Sequence, residues 1–158
     1  MHTHRRPLVA CAVIAGFAAL TLSASPGRAS AASSSRRNGD LHVTKECSEN
    51  TGLAGSFCTI TSSNLPAIEV GSKIFYDQAA GIPKGLLDSN VVLDAGNGDR
   101  AIGRCTLDFA TGLGLCTFSD GTGQFAGFHA RVDVSSLGKP NWAWEGTYSF
   151  WPEENSDR

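Results

Sequence analysis

The sequence predicts an all-β fold: seven to nine short antiparallel strands curling around one core, as a closed barrel or a sandwich, and cross-linked by disulfides. Three observations carry this. Apolar and polar residues alternate with a period of two in successive runs between residues 41 and 150, the pattern of half-buried strands. These runs are separated at regular intervals by clusters of Gly, Asn, Ser and Pro, and none beyond the first thirty residues has a helical period. Cys47 and Cys58, then Cys105 and Cys116, form two pairs with ten residues between partners, a spacing that suits cross-links between neighbouring strands.

The first 31 residues read as a secretory signal peptide. Met1-His-Thr-His-Arg-Arg6 is a basic start, Leu8 to Leu22 an apolar run, and Ala29-Ser30-Ala31 a small-residue cleavage site. The run is short for a membrane span. Cys11 precedes most of the apolar run instead of following it, which argues against lipid attachment there. The expectation is a secreted, extracellular protein with no membrane association once the leader is removed. The 158 residues less these 31 leave 127, enough for one domain with a single core. Arg5, Arg6 and Arg28 leave with the leader, so 10 basic residues stand against 15 acidic ones, a net charge of −5. An acidic surface without basic patches argues against nucleic acid as a partner.

Residues 32–40 are Ser-rich, carry Arg36 and Arg37, and read as a disordered leader to a barrel domain at 41–151. Leu41–Thr44 is the first strand, and a polar loop then runs between Cys47 and Cys58. Ser56–Ser62 is the second strand; Pro66 interrupts before a strand-like Ala67–Val70, and Lys73–Tyr76 is another short strand. Residues 78–89 contain two glycines and Pro83, with a short helical turn expected at Gly85–Leu87. Asn90–Asp94 resumes the strand pattern, and Asn97-Gly98 is a hairpin tip because both positions accept positive φ.

The strongest pattern follows. Gly103, Cys105, Leu107 and Phe109 share one face, with Arg104, Thr106 and Asp108 on the other, and the chain returns as Gly114 to Ser119. Setting Cys105 opposite Cys116 places Gly103 against Phe118 and Leu107 against Gly114, a register in which small residues face large ones. Phe128, Ala130, Val132 and Val134 then share a side, with His129, Arg131 and Asp133 opposite. Trp142, Trp144, Gly146, Tyr148 and Phe150 line one face of the closing strand. Residues 152–158 form a polar, acidic tail.

An even cysteine count in a small exported domain points to disulfides, assigned as Cys47–Cys58 and Cys105–Cys116, the second from the hairpin register. A four-cysteine zinc site would need C-x-x-C knuckles that the chain lacks, so no metal is expected.

Gly121-Thr-Gly-Gln-Phe-Ala-Gly127, an alternating strand after it, and Trp144-Glu-Gly-Thr-Tyr148 together resemble the allene oxide cyclase and dirigent barrel-like superfamily over residues 90 to 150. The resemblance implies a single small, calycin-like antiparallel β-barrel of about eight strands. It further implies an interior for a hydrophobic small molecule, work without metal or cofactor, and frequent homo-oligomers. The family's active-site residues have no counterpart that can be placed on this chain, and the paired cysteines are not part of its pattern.

For chemistry the sequence offers less. Gly121, Gly123 and Ala126 fit a dinucleotide fingerprint, but a strand follows where a helix is required. Asp94–Asp99 resembles a calcium loop with Gly96 at a ligand position. His42 has no recognisable setting. His129 shares a face with Arg131 and Asp133, and Glu145 lies on the polar side of the next strand, so His129 and Glu145 are the weak catalytic candidates. Phe128, Trp142, Trp144, Tyr148 and Phe150 either fill the core or line an apolar ligand pocket. The function expected is binding of a hydrophobic small molecule. A cofactor-independent isomerase, cyclase or dirigent-like guide is one alternative, and a solid structural or interaction barrel another.

Overall fold

The computed structural model describes residues 38–81 and 84–151. The expected signal peptide with its cleavage site, the expected leader up to residue 37, and the expected tail at 152–158 lie outside the described residues. Eight strands follow one another: β1 (Asn38–Glu46), β2 (Phe57–Ser63), β3 (Lys73–Tyr76), β4 (Leu86–Asp94), β5 (Arg100–Asp108), β6 (Leu113–Thr122), β7 (Phe128–Ser136) and β8 (Asn141–Phe150). Each pairs antiparallel with the next, and β8 returns to β1, so the sheet is a closed barrel. Closure satisfies the strand edges that an open sheet would leave bare. A 3-10 turn at Gly123–Phe125 lies between β6 and β7.

Alternation becomes burial. Leu41 and Val43 of β1, Ile60 of β2, Ile74 of β3, Val91 and Leu93 of β4, and Val132 of β7 all point inward and are buried. The β5–β6 register is the one the cysteines require: Cys105 faces Cys116, Gly103 faces Phe118 and Leu107 faces Gly114. Both disulfides, Cys47–Cys58 and Cys105–Cys116, are formed. A Cβ on Gly103 would lie 2.7 Å from the Phe118 ring, so this close strand approach depends on the missing side chain. Asn97 and Gly98 both adopt positive φ, 55° and 86°, at the β4–β5 tip.

Four local expectations are corrected. β1 begins at Asn38, inside the stretch read as leader, because Asn38, Gly39 and Asp40 pair with Ser149, Tyr148 and Thr147 of β8. Ala67–Val70 is turn rather than strand; Leu65 and Ile68 are buried there and joined by a turn hydrogen bond of 2.9 Å. No helical turn forms at Gly85–Leu87, since Leu86 and Leu87 pair with Asp108 and Leu107 and extend β4. Phe109 lies past the end of β5 and is exposed, so it stands at the rim of the interior cavity instead of in the buried core.

The two barrel ends differ. At the end where β1 starts and β8 finishes, Phe125 of the 3-10 turn is fully buried, and Leu65 and Ile68 add to the core from the β2–β3 connection. Phe125 stands 5.3 Å from Phe128, which in turn lies 6.1 Å from Phe118 and 5.1 Å from Phe150 (centroid distances). This aromatic plug closes that end. The opposite end, where β1 finishes and β8 begins, remains open.

Candidate functional site

The open end leads into a cavity of about 360 Å³, within the size range of small-molecule sites. Leu87, Leu107, Val134 and Trp142 form its apolar wall, Phe109 and Pro140 stand in the lining, and all four disulfide cysteines border it. The cross-links thus tie β1 to β2 and β5 to β6 around the cavity. Exposed Leu53, Leu86, Phe109, Leu113 and Leu137 all belong to strand ends or connections on this side of the barrel. Apolar surface therefore continues from the wall onto the rim.

The interior also holds a primary amine. Leu41, Val43 and Lys45 alternate inward along β1, so Lys45 is only 3% exposed and lines the cavity. Beside it the β1–β2 register slips: Thr44 pairs with Ser62 but Lys45 with Ile60, and Thr61 has no opposite number. Such bulges bend a strand and re-aim neighbouring side chains. From β3, Tyr76 points to the same depth, and Lys45 Nζ donates a 2.7 Å hydrogen bond to its Oη. Nζ also sits 4.3 Å from the Trp144 ring centre and 5.5 Å from that of Tyr76. Nε1 of the same Trp144 is buried without a hydrogen-bond partner.

Among the described residues no carboxylate pairs with Lys45. The ion pairs His42–Glu145, Arg100–Asp94 and Arg104–Asp88 involve partly or largely exposed groups on other positions. Burial without a counter-ion penalises the ammonium and pushes Lys45 down to about 7. Burial also pushes the Tyr76 phenol up, so its hydroxyl stays protonated in neutral solution. The site therefore offers an amine that can be neutral, a hydroxyl that can relay a proton, and an apolar chamber above them.

The catalytic candidates from sequence do not converge. His129 faces Ser149 across β7–β8, and its ring stacks 4.4 Å from that of Trp151. Glu145 faces Asp133 on one side and His42 on the other, and its carboxylate contacts the His42 imidazole. The register decides this: three residue pairs along β7–β8 separate the His129 pair from the one containing Glu145.

Of the predicted ligand-lining aromatics, Trp142 lines the cavity. Trp144 is fully buried beneath it against Lys45 and Phe118. Phe128, Tyr148 and Phe150 belong to the aromatic plug at the other end of the barrel. Sequence reasoning missed Lys45 and Tyr76. Extending the Leu41, Val43 parity by two residues would have placed Lys45 inside, and Ile74 to Tyr76 does the same for the phenol.

Among the described residues no group of three or more His, Cys, Asp or Glu could hold a metal ion, and no helix is long and apolar enough to cross a membrane. Comparison of the chain with protein-family models, curated proteins and solved structures returns no match.

Proposed function

We propose that the protein is a secreted barrel that admits a hydrophobic small molecule through its open end and holds it without a cofactor. The observation that carries this reading is the chamber itself: about 360 Å³ of largely apolar space, open at one end, with a single amine–phenol pair inside. An apolar wall supplies affinity, and a few convergent polar groups set orientation. Two disulfides bordering the chamber suit an oxidising, extracellular setting. The likeness of Gly121–Gly127 and Trp144–Tyr148 to the cyclase and dirigent barrels supports the same reading.

Titration with N-phenyl-1-naphthylamine, an uncharged lipophilic dye, tests it. The dye should brighten saturably with the native protein. Leu107→Trp, which fills the chamber from β5, should abolish the saturable signal while the far-ultraviolet circular dichroism stays that of a β-barrel. A non-saturating signal, or one unchanged by Leu107→Trp, would sink the proposal. A second reading, a cofactor-independent isomerase or cyclase, is favoured by Tyr76 and Lys45, both of which place proton-transfer groups inside the barrel.

A further inference from the structure

We propose that Lys45 is a covalent trap for lipophilic aldehydes and ketones, its amine condensing with a carbonyl carbon at the inner end of the chamber. The proposal rests on the binding reading above and specifies the chemistry of the bound head group. Three features of the geometry converge on it. The amine lies in a chamber open to apolar molecules, so a chain-bearing carbonyl entering head first would bring its electrophilic carbon to Nζ. Tyr76 Oη is 2.7 Å from Nζ, close enough to pass a proton between nitrogen and oxygen. Among the described residues no carboxylate pairs with the amine, so no ion pair competes with a carbonyl for Nζ.

The reaction balances without any co-reactant. The Nζ lone pair attacks the carbonyl carbon, forming the C–N bond as the C–O π bond breaks. A proton moves from nitrogen to that oxygen by way of the Tyr76 hydroxyl, giving a carbinolamine. The hydroxyl then leaves as water, taking the proton still on nitrogen by way of the Tyr76 hydroxyl, and the nitrogen lone pair forms the C=N bond of the imine. Addition of water reverses every step, so capture is reversible.

Burial supports the same chemistry. With Lys45 lowered to about 7, roughly half its amine is unprotonated in neutral solution, about 10³-fold more than in an exposed lysine. Such desolvated lysines are a recurrent source of Schiff-base nucleophiles. Tyr76 is the titratable group facing Nζ. The adjoining strands present Cys58 and Ile60 of β2 and Trp142 and Trp144 of β8 to the interior, and exposed Lys139 stands in the cavity lining.

The test uses nonanal with sodium cyanoborohydride, which reduces the imine to a stable secondary amine, on purified protein with its disulfides intact. Peptide mass spectrometry then locates the adduct. Lys45 should be alkylated at least tenfold faster than Lys73, Lys84 and Lys139, with a rate that saturates in nonanal. Nonanol, which cannot condense, should compete. Labelling of Lys45 should level off above a midpoint near pH 7, while that of the exposed lysines continues to rise toward pH 10. Tyr76→Phe should slow Lys45 labelling several-fold at unchanged half-saturation, and Lys45→Met, its fold checked by near-ultraviolet circular dichroism, should lose the fast adduct.

If nonanol displaces the naphthylamine dye but Lys45 is labelled no faster than the exposed lysines, the carbonyl trap is overturned and the binding reading stands. The trap is likewise overturned if nonanoate competes more than tenfold better than nonanol while nonanal leaves Lys45 unmodified, because the amine is then an anchor for carboxylates. If the dye itself does not bind saturably and no adduct forms, both readings fall together.

Discussion

Replacing Lys45 with Met should stabilise the barrel, and by more at pH 6 than at pH 9. The amine titrates at 10.5 when free and at about 7 in the fold. Below pH 7 both states carry the proton, and the native state bears the full cost of burying it. Between 7 and 10.5 the unfolded chain keeps a proton that the fold has shed, so stability climbs with pH. Above 10.5 the penalty vanishes. At about 1.4 kcal/mol per pH unit, this linkage gives a penalty of about 5 kcal/mol at pH 6 and about 2 kcal/mol at pH 9. Met removes the penalty at both. It also strips Tyr76 Oη of its partner, a cost of about 1–3 kcal/mol that does not change across this range. The net gain at either pH is therefore smaller than the penalty, but the difference between them stays near 3 kcal/mol. Urea unfolding of the disulfide-intact protein and of Lys45→Met at the two pH values measures it directly. A difference under about 1 kcal/mol would refute the claim that the fold holds this amine largely neutral above pH 7.

Four further outcomes follow from the packing and the surface. Trp144→Ala should cost about 3–5 kcal/mol, because the indole is fully buried; Trp142→Ala at the chamber wall should cost less and weaken dye binding, both read from denaturant midpoints and titration. Replacing Cys105 and Cys116 together by Ala should lower stability by about 3 kcal/mol in the same unfolding assay, since the loop they close spans 11 positions. Glu145→Gln should change stability by less than about 1 kcal/mol and leave dye affinity untouched, because the His42–Glu145 pair has side chains 57% and 55% exposed.

The barrel was legible in the sequence where local rules and tertiary burial agree. The β5–β6 hairpin could be registered from its cysteines and glycines, because a period of two leaves a single way to put Cys105, Leu107, Cys116 and Phe118 inside together. The Lys73–Tyr76 strand was placed to the residue. What failed depended on partners distant in sequence. Asn38 to Asp40 are polar and become strand only because β8 lies beside them. Ala67–Val70 has strand composition, yet its neighbours turn it into a cap over the core.

The site was less legible for a related reason. Aromatic residues on one face of β8 mark the inside of the barrel but not where along its axis space remains. Phe125 and Phe128 fill one end, and of the β8 aromatics Trp142 alone lines the chamber at the other. Lys45 was passed over because a lysine at a strand end is ordinarily solvated; its inward parity shows only when β1 is extended past Thr44. His129 and Glu145 share an outer face, but register, not face, decides contact, and it gave Glu145 to His42.

β1 and β8 run side by side over nine residue pairs, and this fixes how the molecule can be held. Asn38 and Trp151 emerge together at the plugged end, a strand length of roughly 30 Å from the rim formed by the β1–β2 and β7–β8 connections. A fusion partner, affinity handle or surface linker joined near either of these positions would point away from the opening. Immobilised by either route, the barrel would present its entrance outward, so tethering and uptake of a guest need not compete for the same face.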